Sequence, residues 1–280
     1  CKVKWLFTLI FVCIIAPFAF FAPIYYLFNT DKASADVTVI IPPKTNTEGV
    51  VRILQESKAI SKPLPFKIIA YVNKTNGRYL QPGEYFIQQG SSSKEILHKI
   101  IKGDRIIHKI TVPEGFTNFQ ISELLEGEKV LKGDAKPSDV EGSYMPDTYH
   151  YYYDTQRSVI LNKMFNAMNN FTNPLIAEDK KNEVMILASI VEKEAKMPSE
   201  RPLIASVYLN RIAQKMPLQA DPTVIYALKK GKTDFNHILT RDELKFDSPY
   251  NTYLYAGLPP TPICNPGKES IKAVLNPAKT

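Results

Sequence analysis

Two glutamates close one apolar segment of this chain. In Ala188-Ser189-Ile190-Val191-Glu192-Lys193-Glu194 they stand two residues apart. Val184, Leu187, Ala188, Val191 and Ala195 recur at helical spacing over residues 180–195. At about 100° per residue, Glu194 lies roughly 45° from the centre of that stripe and Glu192 roughly 115° away. The pattern predicts Glu194 as a half-buried carboxyl near a helix C-terminus. Desolvation raises a carboxyl pKa, and the negative end of the helix dipole pushes the same way. A glutamic acid still protonated near neutral pH can donate to a leaving oxygen. The plainer alternative is a solvated Glu-Lys-Glu charge run. Glu192 is the rival acid.

Further polar residues stand at the ends of the apolar segments that follow. Asn210 and Arg211 close a helix predicted to start at Ser199 as its cap, with Pro202 in the first turn and Ile204, Val207, Tyr208 and Ile212 on its buried face. Gln219 and Asp221 precede the next helix, where Asp221-Pro222 reads as a cap followed by a first-turn proline. Tyr250, Asn251 and Tyr253 sit in a polar, aromatic stretch after a short helix over 239–244. Residues 257–262, Gly-Leu-Pro-Pro-Thr-Pro, form a stiff extended loop. A last helix covers 269–275. Asn210, Gln219, Asp221, Tyr250, Asn251 and Tyr253 are the candidate ligand contacts.

Upstream, residues 37–41 are β-branched and read as a strand. Helices follow over 47–54, with Thr47 as the expected cap, and over 65–73. A second strand covers 83–87, and a further helix after Ser93 ends at Gly103. Residues 108–126 repeat the strand-then-helix pattern in part. Residues 141–153 are rich in tyrosine, which fits either a sugar-stacking turn or a packed joint. Residues 158–171 read as a connecting helix.

The chain opens on an uncharged apolar run. Residues 5–28 would span ~36 Å as a helix, enough to cross a bilayer. Lys2 and Lys4 before it and Asp31 after it place the N-terminus in the cytoplasm and the remainder outside. Pro17 and Pro23 are tolerable in such a helix. The start at Cys1 in place of methionine reads as a truncation.

The 280 residues carry a formal net charge of +7, with 44% apolar and 22% charged residues. That balance is globular and suits an anionic partner, although the lysines are scattered. With a membrane segment in front, a cytosolic nucleic-acid-binding role is disfavoured. Three cysteines without a CxxC pair and four isolated histidines argue against a structural zinc site.

The strings Val191-Glu192-Lys193-Glu194, Ser199-Glu200-Arg201, Asn210-Arg211, Leu218-Gln219-Ala220-Asp221-Pro222-Thr223, Tyr250-Asn251-Thr252-Tyr253, Gly257-Leu258-Pro259-Pro260 and Asn276-Pro277-Ala278-Lys279-Thr280 stand in that order, with Pro113-Glu114-Gly115 and Met145-Pro146-Asp147-Thr148-Tyr149 before them. Taken together they resemble the endolytic murein transglycosylase (YceG-like) family. The resemblance implies an α+β chain with a transmembrane anchor (1–30), a LysM-like βααβ module (36–104), a linking α+β region (105–178) and a mainly helical lytic-transglycosylase-like catalytic domain (179–280). It implies Glu194 as the catalytic residue, peptidoglycan glycan strands as substrate and no cofactor or metal. The location it implies is a single-pass position in the bacterial inner membrane with the catalytic part outside. Cell-wall synthesis enzymes would be further partners. Family members cut between N-acetylmuramic acid and N-acetylglucosamine and leave a 1,6-anhydro ring, which can end the growth of a nascent strand. The family chain continues past the Asn-Pro-Ala-Lys-Thr string, so the C-terminus also reads as trimmed.

Overall fold

The computed structural model describes residues 16–230, 232 and 237–279. The chain divides into two compact units, Cys1–His108 and Lys109–Thr280. Residues expected to link, 105–178, therefore mostly share a unit with 179–280.

The first unit begins with helix α1 (Ala16–Thr30). Residues 1–15, which hold Cys1, Cys13 and the start of the expected membrane span, lie outside the described residues. Among the described residues no helix is long and apolar enough to cross a membrane. The end of α1 is packed into the unit: Phe28 is buried, and its ring lies 6.1 Å from that of Phe66. Just beyond, the buried Asp31 carboxylate accepts from the Ser61 and Lys62 amides and from the Ser61 and Ser93 hydroxyls. Burial alone would raise its pKa, but these hydrogen bonds outweigh that and hold it below the usual carboxylate range.

Strand β1 (Val37–Ile41) pairs antiparallel with β2 (Gly83–Ile87), Val39 opposite Tyr85. Alternate residues Val39, Ile41, Tyr85 and Ile87 face the core. Between the strands run α2 (Thr47–Glu56) and α3 (Pro63–Thr75), and α4 (Ser93–Lys102) follows. Asn46, not Thr47, caps α2, its side chain accepting from the Gly49 amide at 2.8 Å. Helix α3 has no side-chain cap of its own; the Asp31 carboxylate takes the Ser61 and Lys62 amides just before it. Ser92 and Glu95 form a capping box on α4, and Gly103 ends it in the left-handed region at φ 71°.

The second unit opens with β3 (His108–Thr111), α5 (Asn118–Gly127), β4 (Thr148–Tyr151) and α6 (Arg157–Thr172), with β3 beside β4. The tyrosine-rich stretch is core: Tyr144, Tyr149 and Tyr151 are buried with Ile121, Leu125 and Ile160. The remaining helices are α7 (Glu178–Glu194), α8 (Arg201–Ala213), α9 (Asp221–Lys229) and α10 (Lys268–Leu275). Helix α7 is their axis. Seven consecutive residues, Met185 to Val191, are buried, so it is enclosed on every side rather than along one stripe. The expected short helix at 239–244 is a 3₁₀ turn over Glu243–Lys245. Helix α8 starts at Arg201 after a 3₁₀ turn, Pro198–Glu200, so Ser199 is not its cap. Val207, expected inside, is 42% exposed.

Candidate active site

The two glutamates leave the last turn of α7 into different surroundings. Glu192 was expected on the more open side, yet only 6% of its side chain is exposed. One of its oxygens accepts from Arg201 Nη2 at 3.1 Å; the other accepts from the Gly267 amide at 2.9 Å and the Ser270 hydroxyl at 2.7 Å. The Arg201 Nε donates to that same Ser270 oxygen, and its Nη2 also reaches Glu114 at 3.3 Å. A Cβ on Gly267 would come within 1.9 Å of the Glu114 carboxylate, so this close approach needs glycine. The Glu192 carboxylate thus ties α7 to α8 and to the start of α10. The stripe argument misplaces it because the part of α7 leading up to it, Met185 to Val191, is enclosed all round and leaves no face on which a stripe could end.

Glu194 is the last residue of α7 and is half-buried. Burial pushes its pKa above the ordinary carboxylate range; a hydrogen bond from Tyr208 pulls it down, and the charge of Asp221 adds to the rise. Tyr208 comes from α8, where it is buried among aliphatic neighbours. Burial, together with the Glu194 charge, raises the Tyr208 phenol far enough to keep it protonated and donating. Raised pKa alone does not single out an acid here. Glu141, also buried, is pushed up to about 7 by burial, but it is 6% exposed and its carboxylate takes the Asn118 amide at the start of α5.

Asp221 is the first residue of α9 rather than its cap, and Ala220 holds the cap position without a side-chain bond. The Asp221 carboxylate is thereby free to accept from the Tyr253 hydroxyl at 2.5 Å. Burial first, then that hydrogen bond, push the Tyr253 phenol up to about 12, and the Glu194 charge contributes to the rise. The structure therefore brings Glu194, Tyr208, Asp221 and Tyr253 into one electrostatic cluster. Arg211 acts on both tyrosines and donates to the Leu218 carbonyl, which holds the segment before α9.

The other expected contacts divide. Gln219 lies between the buried Leu218 and Ala220, is itself exposed and takes a left-handed backbone with φ 53°. Its amide donates to the Thr252 carbonyl at 3.0 Å, while the Thr223 and Thr252 hydroxyls meet at 2.9 Å. These bonds staple the 250–253 turn to the start of α9. Asn251 is fully buried: its amide nitrogen donates to the Leu244 and Phe246 carbonyls, and its oxygen accepts from the Tyr253 amide at 3.0 Å. Asn251 therefore shapes the loop that presents Tyr253. Tyr250 packs its ring 5.0 Å from that of Tyr226 and shares a hydrogen with Thr261 at 2.7 Å. Asn210 is exposed on α8. Tyr208 and Arg211 are missing from the expected contacts. The available signal was a tyrosine in an otherwise aliphatic buried stripe, because a buried phenol needs a partner.

Comparison with known proteins bears on what this cluster is. Residues 39–280 match the YceG-like family. The chain belongs to that family. Among YceG-like relatives, an endolytic murein transglycosylase of Bacillus subtilis is 32% identical over 87% of this chain and 76% of its own length. Another, from Streptococcus pneumoniae, is 28% identical over 97% of this chain, which spans 58% of that relative. The crystal structure of a YceG-like protein from Listeria monocytogenes is 28% identical and covers 88% of this chain and 91% of its own, with a TM-score of 0.53.

Proposed function

We propose that the chain is an endolytic murein transglycosylase with Glu194 as its acid and base. The observation that carries this reading is the half-buried Glu194 carboxyl at the end of α7, raised by burial and steadied by a protonated Tyr208. Protonated, Glu194 donates to the oxygen between N-acetylmuramic acid and N-acetylglucosamine, and that bond breaks. As carboxylate it then takes the proton of the muramic acid's own 6-hydroxyl, whose oxygen closes on the anomeric carbon. The product is a 1,6-anhydro end; Glu194 is protonated again and no water is consumed. Tyr208 donates to one carboxylate oxygen and fixes the rotamer. Gln219, Tyr253 and Asn210 are the exposed or half-exposed groups offered to the sugar.

Residues 36–104 act in this reading as a LysM-like wall-binding module. The uncharged run at 5–28 is a membrane anchor that keeps the catalytic part outside the cytoplasmic membrane. The exposed aromatics of α1, among them Phe18, Phe21, Tyr25 and Tyr26, support the anchor.

Asp221 favours a second reading. A carboxylate near the acid is what a hydrolase uses to direct water. Digestion of isolated glycan strands, followed by mass spectrometry of the new ends, separates the two. Anhydro ends made by the native chain and lost with Glu194→Gln support the transglycosylase. Oxygen from labelled water in the new ends assigns a hydrolase. Absence of any cleavage leaves a wall-binding scaffold.

A further inference from the structure

The first unit carries two adjoining hollows beside α1. The larger, about 800 Å³, has Phe28, Ile69, Leu97 and Ile101 among its apolar lining and the exposed Arg78, Lys94 and Lys102 among its basic lining. The smaller, about 500 Å³, is an open recess on the exposed face of α1 itself, lined by Phe18, Phe21, Ala22 and Tyr26. Tyr25 and Asn29 line both, so one runs into the other.

The two hollows differ in chemistry. Acidic groups in the larger one are engaged: the Glu95 carboxylate takes the Ser92 amide and hydroxyl, and Asp104 lies 4.0 Å from Lys99. Arg78, Lys94 and Lys102 make no ion pair among the described residues. The smaller hollow is almost wholly apolar, and its aromatic side chains are exposed, Phe18 by 74% and Tyr26 by 66%. A contiguous surface of that kind needs a cover. A ligand that satisfies both hollows has an anion at one end and hydrocarbon at the other. A glycan strand can stack on the tyrosines but brings no hydrocarbon chain to cover Phe18 and Phe21.

We propose that this double hollow seats an anionic phospholipid, with its phosphate among Arg78, Lys94 and Lys102 and its acyl chains against Phe18, Phe21 and Tyr25. The proposal rests on the anchor reading, in which α1 is the outer half of the 5–28 membrane segment and its end brings the first unit to the bilayer surface. Tyrosines at that depth suit the headgroup boundary.

The test reconstitutes the full chain into phosphatidylcholine bilayers with or without phosphatidylglycerol. Lipids retained after detergent extraction are then counted by mass spectrometry. The native chain is expected to enrich phosphatidylglycerol. The triple variant Arg78→Gln, Lys94→Gln, Lys102→Gln should lose that enrichment. Each basic residue at an anionic surface is worth roughly fivefold, so a drop on the order of tenfold or more is expected. A control with Lys44→Gln, Arg52→Gln and Lys58→Gln, which line neither hollow, should retain it. Equal enrichment in the triple variant and the native chain overturns the proposal, as does enrichment lost equally in the control. Displacement of the lipid by soluble glycan strands also overturns it and assigns the groove to the wall polymer. Failure to enter even pure phosphatidylcholine is a different result: it removes the anchor reading and the lipid site with it. Insertion without lipid preference removes the lipid site alone.

Discussion

The Glu192 side and the Glu194 side of α7 are two residues apart and opposite in character. On the first, a carboxylate, a guanidinium, a hydroxyl and a backbone amide satisfy one another behind closed packing. On the second, a carboxyl has one strong donor, Tyr208, a like charge nearby and a path to solvent. A fully paired carboxylate holds helices together and is a poor proton donor. An incompletely paired, partly desolvated one costs stability when ionised and is ready to exchange a proton. Burial alone does not distinguish the two; what the buried group is bonded to does.

The largest test of this contrast is Glu194→Gln. Cleavage should fall on the order of a thousandfold, within the range for general acid–base groups. Stability should not fall with it. Because the folded pKa of Glu194 is raised, its contribution to stability is full at acid pH and is lost as pH rises through that pKa. Thermal melts at about pH 4, below the ordinary glutamate pKa, and at pH 8 should therefore show the variant equal to the native chain at the lower pH and at least as stable at the higher. Glu192→Gln should do the reverse. It removes the charge facing a largely buried Arg201 and should cost about 3 kcal/mol in urea unfolding, while cleavage per folded molecule changes little. A catalytic loss without a stability loss in Glu192→Gln would break the contrast.

Two smaller changes sharpen the Glu194 side. Tyr208→Phe removes the hydrogen bond that lowers the Glu194 pKa, so the alkaline limb of the rate profile should move to higher pH. The rate at its optimum should fall about tenfold, or about 1.4 kcal/mol, through a less fixed rotamer. Asp221→Asn removes the charge that raises the same pKa, so its limb should move to lower pH, by less than about one unit. Limbs that shift in the same direction in both variants would contradict the assignment of that limb to Glu194.

Local signals in the sequence are legible where a segment is amphipathic and bounded by turn or capping residues. The β1, α2, α3, β2, α4 order and the Gly103 stop follow from β-branched runs, apolar spacing and one glycine. The half-buried state of Glu194 was also legible, although the stripe that suggested it is not how α7 packs. What escaped is set by long-range partners. Glu192 depends on Gly267 and Ser270, distant in sequence, and Asp221 on Tyr253. Asn251 looked like a ligand contact because the amide that fixes a loop is the same group that would bind a sugar. Only its two backbone acceptors distinguish the roles. The expected caps Thr47, Ser199 and Asp221 each give way to the preceding or following residue, Asn46, Glu200 and Ala220, because neighbouring residues compete for the same position.

Asp31 has a mechanical consequence. One carboxylate grips the amides leading into α3 and the serine that opens α4, directly after the end of α1. Helix α1 therefore joins the first unit through a hydrogen-bonded junction, as a welded post and not as a leash.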